Sequence, residues 1–260
     1  MSTKAVQGKL WSVAPQNWSA YFEPSFLPMY REALKQLNIK DNTTLLDAGC
    51  GSGLFSSIAI KAGAQVSGID AAPGLLQVAR LRNPRNNFME ADLETMPFTV
   101  DRFDVVAGFN SFQYAGNFEN ALAEAKRVLK PGGKLVIGIW DKPEMSDATN
   151  ILKAIGYLLP PPPAGTPGPF ALSEDGRIEG ICNKIGLKVV HTAKVPCPAL
   201  FRSLGEGVNC FMSTGPAAAA MNHNDRQVVE DTVAKAFAPY HIADNMHYLH
   251  NQFLLFIAEK

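Results

Sequence analysis

The chain has 260 residues, enough for one large domain with additions. Its 24 Lys and Arg balance 24 Asp and Glu, and 47% of its residues are hydrophobic. A neutral chain of this kind can build a sizeable core, and it lacks the basic excess of a protein whose main task is gripping nucleic acid. The cysteines Cys50, Cys182, Cys197 and Cys210 form no C-x-x-C pair and no zinc-like spacing, so they read as free thiols of a reducing compartment. The first residues lack the apolar core of a signal peptide, and no apolar run approaches the roughly 20 residues of a membrane span. A cytoplasmic protein is the expectation.

Residues 10–40 hold Trp11, Trp18, Tyr21, Phe22, Phe26 and Tyr30, followed by a helical stretch through Leu37. Short apolar runs then predict strands at Thr44–Asp47, Gln65–Asp70, Asn87–Asp92, Phe103–Phe109 and Lys134–Trp140. Such near-continuous runs suit strands buried on both faces of a parallel sheet. Between the last two strands, Phe118, Ala121, Leu122, Ala125, Val128 and Leu129 recur at helical spacing. Asn117 is the expected N-cap, and Pro131-Gly132-Gly133 ends the segment. The alternation implies right-handed crossovers and an open doubly wound α/β sheet. The proline run Pro160–Pro169 reads as an extended surface crossover. Ser173 is the expected cap of a helix bearing Ile178, Ile181, Cys182 and Ile185. A sixth strand follows at Leu187–Val195, then an irregular stretch over 196–224. A helix at Asp225–Ala238 and a strand at Gln252–Ala258 close the chain. The expected organisation is one domain over 1–260: a helical cap or lid (1–43), a core (44–140), a proline-rich crossover (141–172), and the second half of the sheet (173–260) with an inserted lid near 196–224.

The sharpest motif is Asp47-Ala48-Gly49-Cys50-Gly51-Ser52-Gly53, directly after a strand and before a helix. Bare backbone turns tightly and lets a ligand approach closely. A dinucleotide loop needs G-x-G-x-x-G, but Leu54 or Ser56 falls at the third position, and no Gly-Lys-Ser/Thr ending marks a phosphate loop. Asp70 ends the second strand, where an acid accepts bonds from ribose hydroxyls, and Asp92 ends the third.

Together these residues resemble the class I S-adenosylmethionine-dependent methyltransferases, especially the broad group that includes the quinone-biosynthesis methyltransferases. The resemblance runs from about Leu45 to Trp140. It rests on the Asp47–Gly53 loop, Gly68-Ile69-Asp70, Ala91-Asp92-Leu93, Met96-Pro97-Phe98, Phe103–Val106 and Arg127–Gly133. It implies a Rossmann-like, mostly parallel seven-stranded sheet with helices on both faces and an antiparallel last strand. It implies S-adenosylmethionine as cofactor and S-adenosylhomocysteine as product. By the resemblance, Asp47, Gly49, Cys50, Gly51 and Gly53 belong to the loop at the methionine end of the cofactor. Asp70 binds ribose, Ala71 lies beside the adenine, Asp92 and Leu93 read its edge, and Asn110 and Ser111 lie near the sulfonium. Many relatives carry a His after the fourth strand; here Gln113 takes the approximate place.

Methyl transfer from a sulfonium needs alignment and exclusion of water, and a base only where the acceptor loses a proton. His191, His223, His241, His247, His250 and Tyr114 are weighed as bases, each histidine taken singly also reading as a surface or loop residue, and His223, Tyr114 and His241 are the candidates kept. Trp18, Tyr21, Tyr30, Gln113 and Tyr114 are the candidates for lining the acceptor. No metal site is expected. The expected reaction methylates O, N or C of a small apolar or aromatic molecule. The competing readings are a cyclisation on the same fold and a non-catalytic binding subunit. The expected partner is the small-molecule acceptor, with no nucleic acid; a homodimer is left open.

Overall fold

The computed structural model describes residues 2–161 and 170–260. Helices α1 (Lys4–Trp11) and α2 (Pro15–Asn17), a π-helical turn at Trp18–Phe22 and helix α3 (Leu27–Leu37) precede the first strand. The sheet core then alternates β1 (Thr44–Ala48), α4 (Leu54–Lys61), β2 (Gln65–Asp70), α5 (Pro73–Arg82), β3 (Asn87–Glu90), β4 (Phe103–Phe109), α6 (Phe118–Val128) and β5 (Leu129–Trp140). Beyond it lie α7 (Ala148–Gly156), α8 (Arg177–Lys184), β6 (Lys188–Pro196), β7 (Ala199–Phe201), α9 (Leu204–Met212), α10 (Gly215–Ala220), α11 (Arg226–Phe237), β8 (His241–Ala243), β9 (Met246–Leu249) and β10 (Gln252–Glu259).

The main sheet has seven strands in the order β3-β2-β1-β4-β5-β10-β6. β1 pairs in parallel with β2 and β4, and β10 runs antiparallel to both β5 and β6. Consecutive strand residues face opposite cores, as the pleat requires. Leu45, Val105, Val136 and Leu255 pack with α3 and α4 on one face, whereas Leu46, Val106, Leu135 and Phe256 pack with α6 and α8 on the other. This two-sided burial explains the unbroken apolar runs. Asn117 caps α6 as expected, accepting the Asn120 N–H at 3.1 Å. Arg127 donates to the carbonyls of Met96 and Phe98 at 3.0 and 2.8 Å, so the helix end before β5 holds the turn after β3.

The structure corrects the reading of the second half. Ser173 does not cap a helix: its hydroxyl donates to the Trp140 carbonyl at 2.6 Å, and α8 starts four residues later after Gly176. Residues 196–224 are not irregular but hold β7, α9 and α10, whose caps Ser203 and Thr214 accept N–H groups three residues on. α7 lies within 141–172, and β7, β8 and β9 form a separate three-stranded sheet. Most of the proline run, residues 162–169, lies outside the described residues.

Candidate functional site

A cavity opens beyond the carboxyl ends of β1, β2 and β4, where doubly wound sheets hold their ligands. Its floor is the turn after β1. Gly49 and Gly51 take φ of +82° and +53°, a region that strains any residue with a Cβ. A Cβ at Gly49 would lie 2.3 Å from that of Ser111. The Ser111 hydroxyl donates to the Ala48 carbonyl at 2.7 Å, tying the end of β4 to the end of β1. At Gly51 a Cβ would project toward the Trp18 indole nitrogen, 3.5 Å away.

Asp70 joins the turn to the next strand. Its carboxylate accepts the N–H of Gly51 and of Ala72, both at 2.8 Å. A carboxylate has about four lone-pair directions, so acceptor capacity remains for a ligand in the cavity that Asp70 lines. Burial raises its pKa, against the lowering effect of those backbone donors. At the far end, Asp92 accepts the Glu94 N–H at 2.9 Å and the Ser2 hydroxyl, between the small apolar surfaces of Ala91 and Leu93.

α1 roofs the cavity. Thr3 donates to the Tyr114 carbonyl at 2.6 Å, and Lys4 pairs with Glu90 at 3.0 Å. Gly8 lies so close to the loop after β2 that a Cβ there would be 2.3 Å from the Ala71 carbonyl oxygen. Trp11 meets Trp18 and Tyr114 edge-on, with ring centroids 5.0 and 5.3 Å away. Trp18 is stacked on Phe22 and 8% exposed, and its Nε1–H has no partner although it is fully buried. An unmade buried donor costs about 1–3 kcal/mol.

Glu23 is the residue that sequence reasoning missed. It is 2% exposed, pairs with Arg82 at 2.6 Å, accepts the Ser52 hydroxyl and caps α4 through the Leu54 N–H at 3.2 Å. Burial raises its pKa, and Arg82 opposes that rise. Through this pair the N-terminal segment is fastened to the underside of the glycine turn.

Of the residues expected around the cofactor, Gly49, Gly51, Asp70, Ala71, Asp92, Leu93, Asn110 and Ser111 line this one cavity. Asn110 takes a left-handed φ of +52°, a strained conformation of the kind that clusters at sites. Asp47, Cys50 and Gly53 do not reach the cavity. Asp47 is buried beneath the turn, accepts the Ser56 hydroxyl at 2.6 Å, and burial pushes its pKa up to about 7. Cys50 packs against Leu76, Ala79 and Phe88, and Gly53 starts α4 against Ala79 and Asn83.

Among the acceptor-side candidates, Trp18 and Tyr114 line the cavity. Tyr30 does not: its ring packs between Phe55 and Phe109 in the core, at 5.4 and 4.8 Å. Tyr21 lies against an outer groove with Pro24 and Leu200, and Gln113 turns to donate to the Asn110 side chain. The histidine candidates are corrected too. His223 is exposed after α10, and His241 is exposed on the small sheet, where it meets the Asp244 carbonyl at 2.7 Å. Their nearness in sequence to a supposed lid does not bring them to the cavity. Burial pushes the Tyr114 phenol up to about 12, so it stays protonated at neutral pH and is a donor rather than a base. Among the described residues no three His, Cys, Asp or Glu side chains converge as a metal site.

Known proteins resemble this chain in sequence and fold. Residues 46–137 match the family described as Methyltransferase domain. A demethylmenaquinone methyltransferase of Tropheryma whipplei is 33% identical over 132 residues, which is 50% of this chain and 55% of that protein. A malonyl-[acyl-carrier protein] O-methyltransferase of Serratia marcescens is 38% identical over 92 residues, 35% of this chain and 36% of that protein. The chain thus spans about half the length of the first relative and about a third of the second. A SAM dependent methyltransferase from Aquifex aeolicus shares the fold, with a TM-score of 0.53 and 21% identity over 70% of this chain and 92% of that one. The sheet order and the matched segment resemble those of the class I methyltransferases, whose cofactor is S-adenosylmethionine.

The residues present fit that cofactor. The bare backbone of Gly49 and Gly51 leaves room that a Cβ would fill, Asp70 keeps acceptor capacity toward the cavity, and the buried indole N–H of Trp18 has no partner.

Proposed function

We propose that the chain transfers a methyl group from S-adenosylmethionine to O, N or C of a small apolar or aromatic molecule, releasing S-adenosylhomocysteine. The observation that carries this reading is the convergence of the Gly49–Gly51 turn, Asp70 and Asp92 on one roofed cavity. When bound, the cofactor supplies an electrophilic methyl group on a sulfonium. Asp70 holds ribose hydroxyls, Asp92 and the Leu93 N–H hold the adenine edge, and Ala71 and Leu75 pack its face. Asp47 works from beneath the turn by holding the Ser56 hydroxyl at the start of α4.

The chain's own part in the chemistry is alignment and exclusion of water. α1 closes over the cavity, and Trp11, Trp18 and Tyr114 wall it with apolar rings. Tyr114 keeps its proton and orients an acceptor by donation. Among the described residues the cavity lining holds no histidine, which suits an acceptor that ionises readily or carries a lone pair. One of the named relatives, a demethylmenaquinone methyltransferase, supports an apolar acceptor. Among the described residues no helix is long and apolar enough to cross a membrane, and all four cysteines are free and buried. These features support a cytoplasmic site of action, and the neutral charge supports a small molecule over nucleic acid as partner.

Incubation with methyl-labelled S-adenosylmethionine and a panel of quinols, phenols and carboxylic acids tests the reading. Label is expected in one acceptor class. Complete conversion of a substrate with all of the label retained in S-adenosylmethionine would overturn methyl transfer.

A further inference from the structure

Trp18 entered as a wall of the acceptor site; its indole nitrogen points to another task. The cofactor's adenine and ribose belong at Asp92 and Asp70, so its amino-acid end extends past Gly49 and Gly51 toward Trp18. That end carries an anionic carboxylate, which needs donors. The glycine turn has few left. The N–H groups of Gly49 and Cys50 donate to the Ile69 carbonyl, that of Gly51 to Asp70, that of Gly53 to the Cys50 carbonyl and that of Leu54 to Glu23. The nearby cations are engaged as well. Arg82 is bound to Glu23 and to Ser52 and does not line the cavity, and Lys4 pairs with Glu90.

The Trp18 Nε1–H is different. It is buried, unpartnered and within 3.5 Å of where a Gly51 Cβ would stand, on a residue that lines the cavity. It is carried on the π-helical turn Trp18–Phe22, a local widening of the helix often found at functional sites. An N–H donor selects an acceptor, so it pairs with the carboxylate and not with the ammonium. We propose that the Trp18 indole N–H binds the α-carboxylate of S-adenosylmethionine and makes the N-terminal segment a reader of that carboxylate. This rests on the cofactor reading above. The positive φ of Gly51, which strains any residue with a Cβ, keeps side-chain atoms out of the space beside the indole.

The test compares S-adenosylmethionine with decarboxylated S-adenosylmethionine, which lacks only that group. The wild type is expected to prefer the intact cofactor. Trp18→Phe is expected to weaken the intact cofactor at least tenfold and the decarboxylated one less than twofold, which removes the preference. Equal weakening of both, or of neither, would overturn the inference and leave the cofactor reading standing. Wild-type protein that binds neither ligand would overturn both. A second measurement needs no variant in the ligand-binding comparison. The Trp18 indole proton–nitrogen resonance, assigned by its loss in Trp18→Phe, is expected to move downfield with the intact cofactor and not with the decarboxylated one. An identical response to both would contradict the assignment.

Discussion

Gly8 of the first helix sits on the carbonyl oxygen of Ala71, so close that one added methyl group would lie 2.3 Å from that oxygen. The contact joins the roof of the cavity to the loop that carries the adenine-side residues. Replacing Gly8 by Ala sets two effects against each other. Ala favours a helix over Gly by about 1 kcal/mol, whereas overpacking against a fixed backbone costs about 1–3 kcal/mol. Because the obstructing atom is backbone, the clash wins and the helix shifts outward. Gly8→Ala is expected to speed release of S-adenosylhomocysteine about tenfold in stopped-flow fluorescence. An unchanged rate would show that this helix does not gate the cavity.

Asp70 serves the turn and the ligand together, since Gly51 and Ala72 donate to the same carboxylate. Charge-assisted hydrogen bonds are worth about 1.5–3 kcal/mol each, and about 1.4 kcal/mol is tenfold in affinity. Asp70→Ala is expected to weaken cofactor binding at least tenfold, with Asp70→Asn intermediate. Wild-type affinity in the Ala variant would mean that the ribose lies elsewhere.

Asp47 gives stability a pH dependence of unusual sign. Burial raises its pKa from 3.8 to about 7 in the native state. Between those values the native state holds a proton that the unfolded chain has lost. Stability from this group therefore falls as pH rises through that window, and it levels off above about pH 7. Asp47→Asn has no charge to bury. In urea titrations the variant is expected to gain on the wild type from pH 4 to pH 7, by on the order of a few kcal/mol in total. Parallel curves for the two proteins would contradict the buried, proton-binding carboxyl.

The cofactor half was legible because β1 and β4 are buried on both faces, while polar residues at the ends of β2 and β4 and just beyond β3 reach the cavity. The apolar runs at Leu45, Val66 and Val105 mark the strands, and Asp70 and Asp92 mark their ends. Glu23 was hidden for the opposite reason. Its partner Arg82 is 59 residues away, and its neighbours Trp18, Phe22 and Phe26 suggest only packing. The helices at Leu204–Met212 and Gly215–Ala220 looked irregular because of their glycine, although Ser203 followed by Glu206 is a capping pattern that marks the first of them. The histidines had no spacing that tied them to a site, and His223 was a candidate only for its place in the stretch read as irregular. The antiparallel turn of β8 into β9 instead places His241 beside His247 on a sheet remote from the cavity lining.

The central claim is that the cavity under α1 is built for S-adenosylmethionine. Calorimetric titration of the wild-type protein with S-adenosylmethionine and S-adenosylhomocysteine, set beside NAD, tests it most directly. Saturable one-to-one binding of both sulfur compounds, with none for NAD, is the predicted result. No detectable heat at millimolar S-adenosylmethionine, with tight binding of NAD in its place, would contradict it.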